Sequence, residues 1–168
     1  MRLTPHDIQS ARRHLRAADP VMKAIIDAVG PYTLRFDGDR FGLLVRSIVS
    51  QQISTSAARA IRKRLQDLAG PAGLTAANLV RFSLDQLRSV GLSPQKAGYV
   101  ADLAAKVNDG TVDLRRIGRL RDEQVVEQLI QVKGIGRWTA QMFLIFSLGR
   151  HDVFPHDDLG VRTAIRNR

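Results

Sequence analysis

A glycine-rich turn near the C-terminal end of the sequence has the composition of a phosphate-binding site. Residues 132–140 read VKGIGRWTA, with Gly134 and Gly136 on either side of one apolar residue and a helical pattern directly after them. Glycine permits positive φ and leaves backbone N–H groups open to a ligand, and the N-terminus of a helix attracts anions. Arg137 and Thr139 could add a charge and a hydroxyl. The alternative is a tight turn between helices without a ligand.

Two neighbouring carboxylates follow this turn. Asp158 comes twenty positions after Trp138, and Asp157 precedes it directly. Capping of the next helix accounts for at least one of them. A helix over 138–148 would be about 16 Å long, and the loop after it can return Asp158 to the start of that helix. Because a carboxylate beside a phosphate site repels DNA, its presence indicates that it faces a positive charge that develops during a reaction.

The overall charge indicates a polyanionic partner. The formal net charge is +10 and the isoelectric point is about 11.1, which favours nucleic acid over a merely soluble basic surface. The sequence has no cysteine, so disulfides, thiolate metal sites, iron–sulfur clusters and a cysteine nucleophile are excluded. The spacing of His151 and His156 with their acidic neighbours matches no metal-ligand pattern. Without a signal peptide or a membrane span, we expect a cytoplasmic protein with no membrane partner.

The pattern along the chain is helical almost throughout. Helix-capping residues followed by apolar residues at helical spacing predict an all-α fold of about ten short helices, without a strand pair. No linker is long enough to separate two domains, so residues 1–168 form one predicted domain. Two lobes facing each other across a groove are compatible with this pattern. Trp138, the only tryptophan, would either pack in the core or lie at the lip of that groove and stack on a base.

Four segments together resemble one known family. Residues 132–140 and the run DVFPHDDLGVR at 152–162 resemble the helix-hairpin-helix DNA glycosylase superfamily, and most of all its 3-methyladenine DNA glycosylase II branch. The runs SQQIS at 50–54 and LSPQKA at 92–97 resemble earlier segments of that branch. The similarity covers residues 20–168 and implies a helix-hairpin-helix glycosylase-like fold, with two lobes around a DNA-binding cleft.

The resemblance implies base excision repair of alkylated purines such as 3-methyladenine in duplex DNA. Such enzymes flip the damaged base out of the helix, because its glycosidic bond is inaccessible in the stack. Asp158 would be the catalytic carboxylate, stabilising the oxocarbenium-like sugar and orienting water. Asp157 would be a cap or a supporting group, although the assignment between the two neighbours stays open. The implied partner is double-stranded DNA with a damaged base, and we expect a monomer associated with a bacterial nucleoid.

The residue at position 138 separates two reactions within the superfamily. Bifunctional relatives carry a lysine there that forms a Schiff base, whereas Trp138 cannot, so the resemblance implies a monofunctional hydrolase. The indole could stack on an electron-poor alkylated base. Met142, one turn later, lies where some relatives have an aromatic pocket residue, which predicts a softer pocket.

Further positions would hold DNA and an ion. Gln52 either enters the gap left by the flipped nucleotide or caps a helix, and Gly134 and Gly136 would donate N–H groups to phosphate. No cofactor is required by the reaction. Relatives bind Na⁺ or K⁺ with hairpin carbonyls, and the corresponding residues are Ile130, Val132 and Ile135. Lys133 replaces a proline that often precedes the first glycine, which predicts a less rigid turn.

The C-terminal end departs from the family pattern. The chain stops at Arg168, ten residues past Asp158, whereas relatives continue with helices that close the fold. We therefore expect either a short variant or a truncated product. The alternative functions are a non-catalytic helix-hairpin-helix DNA-binding module or an inactive truncated glycosylase, and a hydrolase with an unrelated, metal-assisted carboxylate site.

Overall fold

The fold is all helical over the part of the chain that can be described. The computed structural model describes residues 4–167, and the predicted domain of residues 1–168 extends beyond them at both ends. Within 4–167 there are ten α-helices and no strand, which confirms the predicted class and number. They are α1 Pro5–Ala18, α2 Pro20–Val29, α3 Arg40–Ser50, α4 Thr55–Ala69, α5 Ala76–Leu79, α6 Leu84–Ser89, α7 Pro94–Asn108, α8 Asp122–Leu129, α9 Arg137–Phe143 and α10 Leu159–Arg166.

Local side-chain chemistry sets most of the helix starts. A side-chain oxygen at the N-cap accepts a backbone N–H of the first turn, which satisfies a donor that the helix itself leaves unpaired. The caps of this kind are Thr4, Asp19, Asp39, Ser54, Thr75, Ser83, Ser93 and Asp158. Two of the described helices start without such a bond: α8 begins at Asp122 after Arg121, and α9 begins at Arg137 after Gly136.

The hydrophobic core is built around α3. Leu44, Val45 and Ile48 have no exposed surface, and α3 contacts α4, α7 and α9. To this core α9 adds Phe143, the largest fully buried side chain among the described residues. The helix that carries the glycine turn and the helix before Gln52 therefore share one core, so their relative position is fixed by close packing.

Polar contacts join the C-terminal end of α3 to its neighbours. The Lys96 ammonium, from α7, donates to the carbonyls of Val49 at 2.8 Å and Gln51 at 2.6 Å. The Gln51 amide donates in turn to the Gly134 carbonyl at 2.8 Å. Burial lowers the pKa of Lys96. Through these contacts, the loop after α3 and the glycine hairpin are held together across 83 positions of sequence.

The predicted helix over 138–148 has two parts. The α-helix ends at Phe143, and Leu144–Leu148 continues as a π-helical turn that ends at Gly149 in the left-handed region. This turn binds the segment before α3, because Asp37 N–H donates to the Phe146 carbonyl at 2.8 Å and the Ser147 hydroxyl donates to the Asp37 carbonyl at 3.2 Å. Turns of this type are frequent at functional sites.

Three helices lie outside the core. Among the described residues α1, α2 and α10 bury no side chain, although α1 and α2 pack on each other and pair Arg16 with Asp27 at 2.5 Å. None of the helices within 4–167 has the length and apolar character to cross a membrane. These three elements therefore add little to the stability of the central core.

Substitution of Phe143 by alanine tests this assignment of the core. Removing a fully buried ring should lower the free energy of unfolding by about 3–5 kcal/mol, because it leaves a cavity. The matched control is Phe154→Ala, since Phe154 is 62% exposed and should change stability by less than about 1 kcal/mol. Denaturant unfolding measures both. Equal losses for the two variants would show that Phe143 is not a core residue.

Candidate active site and nucleic-acid interface

The hairpin between α8 and α9 depends on glycine at position 134. Gly134 has φ +81°, and a Cβ there would lie 2.1 Å from the Tyr99 ring. Both the backbone conformation and the space thus require glycine. Val132 and Ile135, 1% and 4% exposed, anchor the turn in the core. Gly136 is exposed, has open space around its Cα and is the N-cap of α9, so its backbone is accessible to a ligand.

Side chains of α7 bind the backbone of the hairpin. The Asp102 carboxylate accepts the Lys133 N–H at 2.8 Å and the Lys106 ammonium at 2.8 Å, and Lys106 also donates to the Gln131 carbonyl at 2.5 Å. Partial burial acts to raise the pKa of Asp102, but the hydrogen bonds from Lys106 and Lys133 lower it overall. A proline at 133 could not donate this N–H. The turn therefore has a restraint that the sequence did not reveal.

Two residues that were predicted to contact DNA, Arg137 and Thr139, contact other parts of the protein in the structure. Arg137 forms a two-point ion pair with Glu123, at 2.5 and 3.3 Å. The hydrogen bond from Arg137 lowers the pKa of Glu123, and the pKa of Arg137 is raised. A phosphate would have to compete with this carboxylate. Thr139 is 5% exposed, so the predicted contact of its hydroxyl with phosphate is not available: α9 turns that side chain into the core.

A cavity of about 590 Å³ lies beside the hairpin. It brings together Trp138 and Met142, one turn apart on α9, with Gln52 from the loop between α3 and α4. The other lining residues are Asp37, Leu43, Arg46, Ser47, Ser50, Gln51 and Arg62. Trp138 is 44% exposed, which excludes the core alternative and places the indole at the lip of the cavity. Spacing along α3 could have revealed Leu43, Arg46, Ser47 and Ser50, which share one face of that helix.

Asp158 is joined to the wall of this cavity. Its Oδ2 accepts the indole N–H of Trp138 at 2.9 Å, and its Oδ1 accepts the Val161 N–H at 2.9 Å as the N-cap of α10. The bond from Val161 and then the bond from Trp138 lower the pKa of Asp158, so the carboxylate is charged at neutral pH. Asp157 is exposed and pairs with His156 at 3.2 Å. Of the two neighbours, Asp158 is thus the cap and also the residue that contacts the indole.

The loop between α3 and α4 carries Gln52 in an unusual conformation. Among the described residues, it is the one non-glycine residue with positive φ, at 53°. Ser54 is the cap of α4, so the alternative of Gln52 as a helix cap is wrong. Its side chain is exposed and also lines the cavity. Such strain at the edge of a cavity is typical of a functional position.

The predicted ion site consists of backbone carbonyls only. Ile130, Val132 and Ile135 lie within one turn, and the Val132 carbonyl accepts the Ile135 N–H at 3.0 Å. A carbonyl oxygen keeps a second lone pair, so this oxygen can still bind a cation. Uncharged oxygen ligands suit a monovalent cation such as Na⁺ or K⁺. The assignment of this site stays a prediction. Within residues 4–167, no group of three or more histidine, aspartate or glutamate side chains is placed to hold a metal.

The family follows from a match over most of the chain. Residues 45–167 match the family model described as HhH-GPD superfamily base excision DNA repair protein. The chain belongs to this superfamily. DNA-3-methyladenine glycosylase 1 of Schizosaccharomyces pombe is 32% identical over 164 residues, which are 95% of this chain and 72% of the relative. DNA-3-methyladenine glycosylase 2 of Escherichia coli is 30% identical over 136 residues, which are 74% of this chain and 48% of the relative.

A solved structure supports the same conclusion. The S. pombe 3-methyladenine DNA glycosylase Mag1, in complex with abasic DNA, superposes with a TM-score of 0.82 at 33% identity. The match covers 94% of this chain and 79% of the other chain. The resemblance to glycosylases of the 3-methyladenine type is therefore confirmed.

Substitutions of the two glycines separate the rigidity of the HhH-GPD hairpin from its accessibility. Gly134→Ala should lower the free energy of unfolding by about 2 kcal/mol or more, because the methyl group meets the Tyr99 ring at positive φ. Gly136→Ala should lower it by about 1 kcal/mol or less, because its Cα faces open space. Thermal unfolding and titration with duplex DNA measure both effects.

The Gly136 variant also tests accessibility. Its added methyl group should weaken duplex binding in a protein of nearly unchanged stability, since it stands where phosphate would approach the N–H groups. If Gly136→Ala binds duplex as the unmodified protein does, this face of the hairpin does not contact DNA.

Proposed function

We propose that this chain is a monofunctional DNA-3-methyladenine glycosylase. It would flip an N-alkylated purine out of duplex DNA and hydrolyse its N-glycosidic bond in base excision repair. The observation that carries this proposal is the hydrogen bond from the Trp138 indole to Asp158, because it joins an exposed stacking surface to a charged carboxylate at one cavity. The names of the S. pombe and E. coli relatives support the same substrate class.

The geometry suggests that Trp138 binds the base and that Asp158 acts on the sugar. The flipped base would enter the cavity and stack on the indole, a contact of about 1–2 kcal/mol. The glycosidic bond then breaks, and the cationic base leaves with its electron pair as a neutral molecule, so no general acid is required. The Asp158 carboxylate stabilises the positive sugar that forms. Water adds to the sugar carbon and loses a proton, which leaves an abasic site.

Several groups are suited to hold the duplex. The proposed contacts are the N–H groups of Gly134 and Gly136 with phosphate, Arg137 after release from Glu123, and Gln52 in the gap left by the base. The net charge of +10 favours this association. We further propose Na⁺ or K⁺ on the carbonyls of Ile130, Val132 and Ile135, where a positive ion would strengthen phosphate binding. We also propose that the protein acts as a monomer at the nucleoid, in a bacterial cytoplasm.

One observation favours the second candidate, a DNA-binding module with little or no catalysis. The helix α10, which Asp158 caps, buries no side chain among the described residues, and Leu159 beside it is 79% exposed. The carboxylate is therefore held mainly by its bonds with Trp138 and Val161 rather than by packing. Only a measurement of base release separates the two candidates.

Substitution of Asp158 by asparagine tests the proposed function. Asparagine at this position would still cap α10, whereas loss of the charge should lower the single-turnover rate of 3-methyladenine release by about 100-fold or more. Binding to a duplex with an abasic-site analogue should stay equal or become tighter, because a negative charge near DNA is removed. Release is measured by chromatography of the free base from methylated duplex DNA.

Asp157→Asn is the matched control and should leave base release within about threefold of the unmodified rate, because its carboxylate is exposed and pairs with His156. If the unmodified protein binds duplex but releases no base, the second candidate is correct. If Asp157→Asn has the larger effect, the assignment of Asp158 is wrong.

The pKa of Asp158 gives a prediction about pH. Because its hydrogen bonds lower the folded-state pKa, the carboxylate stays charged below the range of an ordinary aspartate. The stability that this charge contributes is present above the unfolded-state pKa and is lost as pH falls through the folded-state pKa. Trp138→Phe removes the indole N–H that binds the carboxylate and should therefore raise the pKa of Asp158. NMR titration of the Asp158 side-chain carbon measures this pKa in the unmodified protein and in the variant. Equal midpoints would show that the indole does not bind the charged Asp158 carboxylate.

A further inference from the structure

Asp37, which carries a second carboxylate, is one of the residues that line the same cavity. Its backbone is fixed on both sides by the π-helical turn that follows α9, through the contacts with Phe146 at 2.8 Å and Ser147 at 3.2 Å. The neighbouring Phe36 ring packs so closely on Gly149 that a Cβ there would lie 3.0 Å from it. Asp37 is therefore held against the helical element that also carries Trp138.

The charges around Asp37 do not cancel. The Arg46 guanidinium pairs with Asp37 and also with Asp39, the latter at 3.3 Å. Two carboxylates thus share one guanidinium, which leaves one negative charge in the group. Asp39, the N-cap of α3, is not among the residues that line this cavity, whereas Asp37 and Arg46 are. The charged group therefore presents one of its two carboxylates to a bound base, together with the Arg46 guanidinium.

The Asp37 carboxylate can still accept hydrogen bonds. It has about four acceptor positions, of which Arg46 and the Asp39 N–H at 2.9 Å use two. Its side chain is 37% exposed, and that of Arg46 is 30% exposed. A base in the cavity could therefore donate an N–H to this carboxylate without displacing the arginine.

Apart from Trp138 and Asp37, no described residue of the wall attracts a cationic base more than a neutral one. Among the described residues that line the cavity, Trp138 is the only aromatic one, and Met142 and Leu43 are uncharged. Arg62, on α4, is the remaining charged residue of the lining and lies outside the group formed by Asp37, Arg46 and Asp39. Among the described residues that line the cavity, only the indole face and Asp37 therefore favour a positive charge on the base, since Arg46 and Arg62 are cations. The Asp158 carboxylate is bonded to the indole N–H and is not among the described residues of the lining.

We propose that Asp37 is a specificity-determining residue, which makes this cavity prefer bases that alkylation has made cationic over neutral bases. The inference rests on the proposed glycosylase function and names a selecting group within that site. Its carboxylate attracts the positive ring and accepts an N–H from the base edge. Asp37 contacts the base and not the sugar, so its role differs from that of Asp158.

The test compares Asp37→Asn with Asp39→Asn. Both variants remove one carboxylate from the same arginine, both keep an oxygen of the same size, and asparagine at 39 can still cap α3. Single-turnover rates are measured on duplexes with 7-methylguanine, which is cationic in DNA, and with hypoxanthine, which is neutral. Asp37→Asn should lower the rate for 7-methylguanine by about tenfold or more and the rate for hypoxanthine by less than about threefold. Asp39→Asn should change both rates by less than about threefold.

The outcomes decide whether Asp37 selects the base or only supports the structure through its ion pair. Equal losses on both bases in Asp37→Asn, or equal losses in both variants on 7-methylguanine, would overturn the inference and indicate a structural role for the ion pair. If the unmodified protein releases no hypoxanthine, the comparison of the two variants on 7-methylguanine gives the answer. If the unmodified protein releases 3-methyladenine but no 7-methylguanine, the inference is overturned, because the cavity then does not select a base by its positive charge. If it releases no alkylated base at all, the proposed function fails and the inference fails with it.

Discussion

The hydrogen bond between the Trp138 indole and the Asp158 carboxylate is the contact on which the proposed chemistry depends. At 2.9 Å it joins the first turn of α9 to the cap of α10. Because α10 buries no side chain, this bond and the bond with Val161 determine where the charge lies. The same indole forms the lip of the cavity. The surface that would receive the base and the charge that would stabilise the sugar are therefore positioned by one side chain.

The core of α3, α7 and α9 fixes the other parts of the site relative to this bond. Lys96 holds the end of α3, Gln51 reaches the hairpin, and Asp102 holds the hairpin from α7. Contacts of this kind are made between side chains and backbone, so they restrain the course of the chain itself. A loop strained at Gln52 and a turn that only glycine can form are stable in this setting because the surrounding packing determines them.

Local chemistry explains which parts of this arrangement the sequence predicted. Capping residues predicted the starts of most helices, the spacing of the two glycines predicted the hairpin, and the resemblance to the family implied that Trp138 and Met142 line the pocket. What the sequence did not reveal depends on contacts between distant residues or on which way a side chain turns. Examples are Asp37 in the cavity wall, Glu123 on Arg137 and the buried side chain of Thr139. No local pattern distinguishes Asp37 or Glu123 from an ordinary surface residue.

The central claim is that the protein releases a damaged base by hydrolysis, with Asp158 as the charge and without a covalent adduct. One incubation of the protein with methylated duplex DNA, divided for analysis of free base, alkali-labile sites and borohydride trapping, tests it most directly. The account predicts free 3-methyladenine, an equal number of abasic sites that are cut only by alkali, and no protein–DNA adduct. A trapped adduct, or tight binding without any released base, would contradict it.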